Sequence, residues 1–416
     1  MDILRFITAG SVDNGKSTLI GRLLYDTKNI LADQMNAIEK ASKARNNGEV
    51  DLALLTDGLR SEREQGITID VAYKYFQTPK RKFISIDAPG HTQYTRNMVT
   101  GASNADLAII LIDARLGVIE QTKRHSLIAS MLKIPYIVVA INKMDLVDYS
   151  EDVYLNIAKE YKELAEKLSI ENLWVIPVSA LGGDNVVEKS KTMNWYQGET
   201  LLSVLETVDV HKGTTHTGAR FPVQYVLRPQ STELHDYRGY AGRLLSGTLK
   251  KGEKITVLPS GQTSTIAKIE IYGEESERLS ASQSGTLLLT DDIDISRGDL
   301  IVGENNQPQS SQDITSLVCW MDDHKELKPG NKYLLQHGTA RVRCSVKEID
   351  YRIDINTYVK EDQVDALKLN DVAKVRIRTA QPIAFDPYAV NRANGGAILI
   401  DETSNVTVGA CMLEEA

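Results

Sequence analysis

Gly10-Ser11-Val12-Asp13-Asn14-Gly15-Lys16-Ser17 satisfies the spacing GxxxxGK[ST]. Glycines at these positions let the backbone wrap phosphate oxygens and present N–H groups at the start of a helix. Lys16 would reach the β- and γ-phosphates, and the Ser17 hydroxyl would ligate Mg²⁺. Asp13, Asn14, Gly15 and Thr18 complete the expected cradle. Asp87-Ala88-Pro89-Gly90 is a second group. Asp87, at the end of a strand, would hold Mg²⁺ directly or through water, and Gly90 leaves its N–H free to approach a γ-phosphate. Asn142-Lys143-Met144-Asp145 selects guanine. Its Asp145 carboxylate accepts from guanine N1–H and the exocyclic amine, a donor pair that adenine lacks. Asn142 ties the pocket together, and the Lys143 stem covers the base plane. In Ser179-Ala180-Leu181 a backbone N–H of the first two residues is expected at guanine O6. In this order the four groups describe one site, with a triphosphate at one end and guanine at the other.

Such groups need a scaffold. Residues 4–9 form a short apolar run before the first motif, and 17–24 have helical spacing after it. Residues 83–86, 107–113 and 136–141 are runs rich in Ile and Val, each followed by a turn and a helix-like stretch. Residues 174–178 precede Ser179 in the same way. Runs of this kind suit parallel strands buried on both faces, and their alternation with helices predicts a doubly wound α/β domain. The polar segment 26–66, with helical spacing near 35–44, reads as a functional element beside the site. After a linker at 211–218, short β-rich stretches separated by turns predict β-barrels at 218–306 and 310–416, with a polar break at 305–312. The first domain is expected over 1–215.

Composition narrows the classes further. The 416 residues are 42 % hydrophobic and 25 % charged, which excludes a disordered or collagen-like chain. The net charge of −8 gives no long-range attraction to nucleic acid or anionic lipid. Cys319, Cys344 and Cys411 are widely spaced, so neither structural zinc nor a disulfide framework is expected, which fits the cytoplasm. No apolar run approaches the roughly 20 residues of a membrane span, and residues 1–5 lack the pattern of a secretory signal.

With these motifs on a G domain and two β-barrels, the chain resembles the translational-factor superfamily of GTPases. Gly66-Ile67-Thr68-Ile69 is similar to that superfamily's first switch, and the resemblance implies that Thr68 binds Mg²⁺ and γ-phosphate. It also places His91 where the attacking water is oriented, with Val12 and Ile67 as its apolar gate. Lys16, Thr68 and His91 are the implied catalytic set. Longer strings point to one branch. These are residues 62–73, 91–98, 105–115 and 183–187, with Asn194-Trp195-Tyr196, and in the barrels 237–242 and 294–299. Together they resemble the GTPase subunits of bacterial sulfate adenylyltransferases. That resemblance implies GTP and Mg²⁺ as cofactors. It also implies a separate catalytic subunit that handles ATP and sulfate and makes adenosine 5′-phosphosulfate and pyrophosphate. Asn14 and Thr92 stand where acidic residues are commoner in that family. The alternative is an elongation factor delivering aminoacyl-tRNA, which shares every G-domain motif; the branch-specific strings argue against it, and no nucleic acid is expected.

Overall fold

The computed structural model describes residues 2–30, 52, 70–90, 95–210, 218–229 and 237–416. The chain forms two compact units, Met1–Val210 with Ile355–Tyr358, and His211–Asp354 with Val359–Ala416.

The first unit is built on a six-stranded sheet. Its strands are β1 (Ile3–Ala9), β2 (Ala72–Gln77), β3 (Lys82–Asp87), β4 (Leu107–Asp113), β5 (Tyr136–Asn142) and β6 (Leu173–Pro177), in the order β2-β3-β1-β4-β5-β6. All neighbours are parallel except β2 and β3. Every residue of β4 and of β5 is buried, as expected for apolar strands covered on both faces. The described helices are α1 (Lys16–Asp26), α2 (Thr95–Ala102), α3 (Glu120–Met131), α4 (Glu151–Lys167) and α5 (Leu201–Thr207). Side chains alternate along β1. Leu4 and Phe6 join Leu19, Ile20 and Leu23 of α1 and Leu201 and Leu205 of α5 in one core. Ile7 points the other way, where Gly101 of α2 would bring a Cβ within 3.3 Å of it. Each fully buried Leu, Ile or Phe adds about 1.5–3 kcal/mol.

The register then gathers chemistry at one edge. Thr8 pairs with Asp87 and Asp113 with Asn142, all at the carboxyl ends of their strands. β2 and β3 lie on one side of β1 and β4 to β6 on the other, so the turn after β1 lies at the topological switch point where open α/β sheets bind ligands.

The second unit holds two antiparallel barrels. In the first, the strands run in the order Lys254–Leu258, Leu300–Gly303, Arg220–Leu227, Gly239–Arg243, Ser284–Leu289 and Gln262–Ile271, and the last pairs back with the first. The order in the second is Lys332–His337, Gly396–Ile400, Thr407–Glu415, Gln309–Trp320, Val372–Phe385 and Ala340–Ile353, again closed. Phe221, Val223, Ile255 and Ile301 fill the one, and Trp320, Leu335, Val375 and Phe385 the other. Leu300–Gly303 of the first barrel and Gln309–Trp320 of the second flank residues 304–308, and Gln309–Trp320 begins inside the polar stretch 305–312, directly after Pro308, which has no N–H to give a ladder. Gly239–Arg243 has no apolar run to announce it. Its Gly242 is required because a Cβ there would lie 2.4 Å from the Pro222 carbonyl.

A buried polar seam joins the barrels. Arg220, 1 % exposed, gives Nε and Nη2 to the two oxygens of Asp386 at 2.9 and 2.8 Å. Asn391 and Asn394 donate to the same carboxylate at 3.1 and 2.9 Å. Asn391 also reaches Ser246 at 3.1 Å, closing the network across the two barrels.

Candidate functional site

The turn after β1 is shaped by positions that only particular residues fill. Asp13 and Gly15 have φ of 63° and 88°. At Gly15 a Cβ would also sit 2.6 Å from Asn142 Nδ2, so conformation and space both demand glycine. Gly15 caps α1 without a side-chain bond, leaving the first-turn amides of Lys16, Ser17 and Thr18 for an anion. Asn14 is buried and gives Nδ2 to Leu111 O at 3.0 Å, a bond that an ionised carboxylate in its place could not donate. Lys16 Nζ donates to Gly10 O at 3.0 Å and Ser11 O at 2.9 Å. Burial pushes its pKa below the usual lysine value, against the opposing pull of Asp87 and Asp13.

Asp87 closes the other side. It accepts from Thr8 Oγ1 at 3.0 Å and from Ser17 Oγ at 3.1 Å, a pair 70 residues apart in sequence. At Gly90 a Cβ would lie 2.5 Å from Gly10 O and 2.6 Å from Lys16 Nζ, so glycine alone lets this turn meet the phosphate loop.

The base end is assembled around Asn142. Its Nδ2 donates to Asn14 O at 2.8 Å, and its Oδ1 accepts from Ala180 N–H at 2.9 Å. One side chain thus bonds the phosphate loop and the 179–181 loop together. Lys143 is left-handed at φ 65°, with Nζ 3.0 Å from Asp113. Asp113 also pairs with Arg115 at 2.7 Å. Burial raises the Asp113 carboxyl, but hydrogen bonds from Arg115 and Lys143 outweigh that and hold it well below the carboxylate range. Asp145 accepts from Ser179 Oγ at 2.7 Å. It lines a cavity of about 410 Å³ with Arg22, Tyr25, Leu52, Tyr149, Ser179, Leu181 and Gly182.

The structure thus brings together Asp13, Asn14, Gly15, Lys16, Ser17, Thr18, Asp87 and Gly90 at one end, and Asn142, Lys143, Asp145, Ser179, Ala180 and Leu181 at the other. One detail differs from expectation. Ser179 N–H donates to Asp184 O and Ala180 N–H to Asn142, so both amides expected at guanine O6 are engaged, and the next along the loop is Leu181's. Thr68, His91, Ile67 and Thr92 lie outside the described residues, as does most of the 26–66 segment. Asp113, Arg22 and Tyr149 were missed by sequence reasoning. Only Asp113 carried a signal, an acid ending an apolar strand in register with Asn142.

The family model described as the elongation factor Tu GTP binding domain matches residues 1–212, and one described as GTP-eEF1A C-terminal domain-like matches 313–414. Among curated relatives, sulfate adenylyltransferase subunit 1 of Aeromonas salmonicida (strain A449) is 52 % identical over 99 % of this chain and 87 % of its own. The subunit 1 of Cellvibrio japonicus (strain Ueda107) is 50 % identical over 100 % of this chain and 87 % of its own. The bifunctional enzyme CysN/CysC of Mycobacterium tuberculosis (strain ATCC 25618 / H37Rv) is 49 % identical over 99 % of this chain and 67 % of its own. The chain belongs to the sulfate adenylyltransferase subunit 1 family, whose nucleotide domain is that of the elongation factor Tu GTPases.

Proposed function

We propose that this chain is the GTPase subunit of a heteromeric sulfate adenylyltransferase, and that its GTP hydrolysis is coupled to the formation of adenosine 5′-phosphosulfate and pyrophosphate by a catalytic partner subunit. The observation that carries the nucleotide assignment is the double bond-making of Asn142, which fixes the phosphate loop and the base loop at one spacing. A ligand must then offer a polyphosphate to Lys16 and paired donors to Asp145, and among purine nucleotides guanine offers the pair. Relatives across the whole chain favour the sulfate-activating role over aminoacyl-tRNA delivery.

In the chemistry, water attacks the γ-phosphorus in line. The new P–O bond forms as the bond to the β-phosphate oxygen breaks, giving GDP and inorganic phosphate. Lys16 and the amides opening α1 stabilise charge that builds on the phosphate oxygens. His91 holds the water, and Thr68 and Gly90 hold the γ-phosphate. Its loss frees both, so the two switch segments relax and change the surface offered to the partner. Ser17 and Asp87 are hard oxygen donors that suit Mg²⁺ and would hold it, with Thr68 as the further ligand that the family resemblance implies. A magnesium ion held there would supply neutralising charge for the phosphate oxygens. No helix among the described residues is long and apolar enough to cross a membrane, and the proposed reaction is cytoplasmic.

The test is sulfate-dependent pyrophosphate release by this chain with its catalytic partner, with and without GTP. Release should rise with GTP and fall back with a non-hydrolysable analogue. Release indifferent to GTP would refute the coupling, and equal affinity for ATP and GTP on the pure chain would refute the pocket.

A further inference from the structure

Arg22 sits in the second turn of α1, the helix whose first turn carries Lys16 and Ser17. Its guanidinium reaches across to the base loop. Nε donates to Ala180 O at 3.1 Å, and Nη2 donates to Leu181 O. Nη1 lies 3.4 Å from Asp26 Oδ1, and the guanidinium stands over the Tyr25 ring at 5.6 Å from its centroid. The side chain is 17 % exposed. The loop's own turn depends on Gly182 and Gly183. A Cβ on Gly182 would be 2.9 Å from Asp184 Oδ2, and Gly183 takes φ 87° with its Cβ position 3.6 Å from Arg22.

The two accepting carbonyls flank Leu181. A trans peptide is planar, with C=O and N–H pointing oppositely. Holding Ala180 O toward α1 therefore turns the Leu181 N–H away from α1, and holding Leu181 O fixes the next peptide as well. Arg22, Leu181 and Asp145 line the same cavity. Leu181 N–H has no partner among the described residues. A rigid fork with several donors suits two carbonyls at once, which a lysine ammonium on a flexible stem does not match.

We propose that Arg22 is a positioning residue for base recognition: it holds the Leu181 amide as the donor to the 6-oxo group of the purine and ties that donor to the helix that carries the phosphate cradle. This rests on the GTP reading above. It adds a second determinant of base choice, independent of Asp145. Asp145 reads the N1–H and 2-amino edge, and the Arg22-held amide reads the 6-position.

The test uses the full-length chain with Mg²⁺ and titrates GTP, GDP, 6-thio-GTP and ATP. Sulfur at the 6-position is a poor acceptor, while the N1–H and 2-amino group are kept. The unaltered protein should favour GTP over 6-thio-GTP by about 3- to 10-fold, the scale of one neutral hydrogen bond. In Arg22→Gln that ratio should fall toward one, with GTP and GDP weakened by the same factor because the phosphate contacts are untouched. Arg22→Lys, which keeps the charge and the packing stem, should fall between. A ratio unchanged from the unaltered protein in either variant overturns the proposal. So does a loss that differs between GTP and GDP, because that places Arg22 at the phosphates. If the unaltered protein binds ATP as tightly as GTP, the nucleotide assignment fails instead, so the two failures are told apart.

Discussion

Two of the buried cations, Lys16 and Arg220, are held in opposite ways. In the nucleotide-binding unit, Lys16 is buried with two neutral carbonyls as its hydrogen-bond acceptors, and burial lowers its affinity for a proton. In the barrel unit, Arg220 is buried against a carboxylate that takes two of its N–H groups, and two asparagines complete that carboxylate's bonds. A charge whose hydrogen bonds go only to neutral carbonyls can exchange them for a phosphate. A charge matched by Asp386 is closed upon itself and holds structure. The pattern of compensation, more than burial, separates a binding site from a lock.

Four measurements break or sharpen this contrast. The largest effect is expected at the seam. Asp386→Ala leaves the Arg220 guanidinium buried and unpaired, and should destabilise the barrel unit by about 3–5 kcal/mol in a denaturant titration. Replacing both partners together, Arg220→Met with Asp386→Leu, should recover most of that loss, which a ligand-binding pair would not do. Lys16→Ala should behave inversely. GTP affinity by calorimetry should fall at least about 10²-fold, since charge-assisted bonds to two phosphates are lost. The unliganded chain should melt no lower than before. A large drop in melting temperature would make Lys16 a lock as well.

Asp145→Asn should weaken GTP by about 10- to 100-fold, the value of a charged hydrogen-bonding pair. Xanthosine triphosphate should gain, because the new amide donates where xanthine accepts. The smallest effect concerns pH. His125 of α3 is buried, its Nδ1 has no partner among the described residues, and burial, with the Lys16 and Arg124 charges, lowers its pKa to about 3. The unfolded chain takes up that proton near pH 6.5, so stability is full above this value and declines as pH falls toward 3. Well below 6.5 the slope is about 1.4 kcal/mol per pH unit, so about 1 kcal/mol is lost by pH 5.5. Denaturant titrations of His125→Leu between pH 7 and 5 should show a flatter profile. A steeper one would mean that the imidazole is charged in the fold.

Much of the nucleotide site was legible because its parts are local. Each motif follows an apolar strand directly, and runs such as those of β4 and β5 announce themselves by composition. What stayed hidden is carried by contacts between distant residues. Arg22 meets Ala180 158 positions away, and Arg220 meets Asp386 166 away. No spacing rule covers either. Strands β2, Gly239–Arg243, Leu300–Gly303, Lys332–His337 and Thr407–Glu415 were also not anticipated. They are short, glycine-bearing or one-sided in their apolar pattern, and their partners decide them. The guanine O6 donor shows the limit at finer grain: the motif names the loop, but the bonds from Ser179 N–H to Asp184 and from Ala180 N–H to Asn142 decide which amide along it remains.

A sheet that curls round and pairs its last strand with its first has few bare backbone groups to offer a stranger. Both barrels do this, whereas among the described residues the sheet of the nucleotide-binding unit ends at β2 and β6. On β2, Tyr75 stands 72 % exposed. The described edge at β2 is therefore one place where crowded copies could stick edge to edge, and a charged residue at Tyr75 is the natural guard against it.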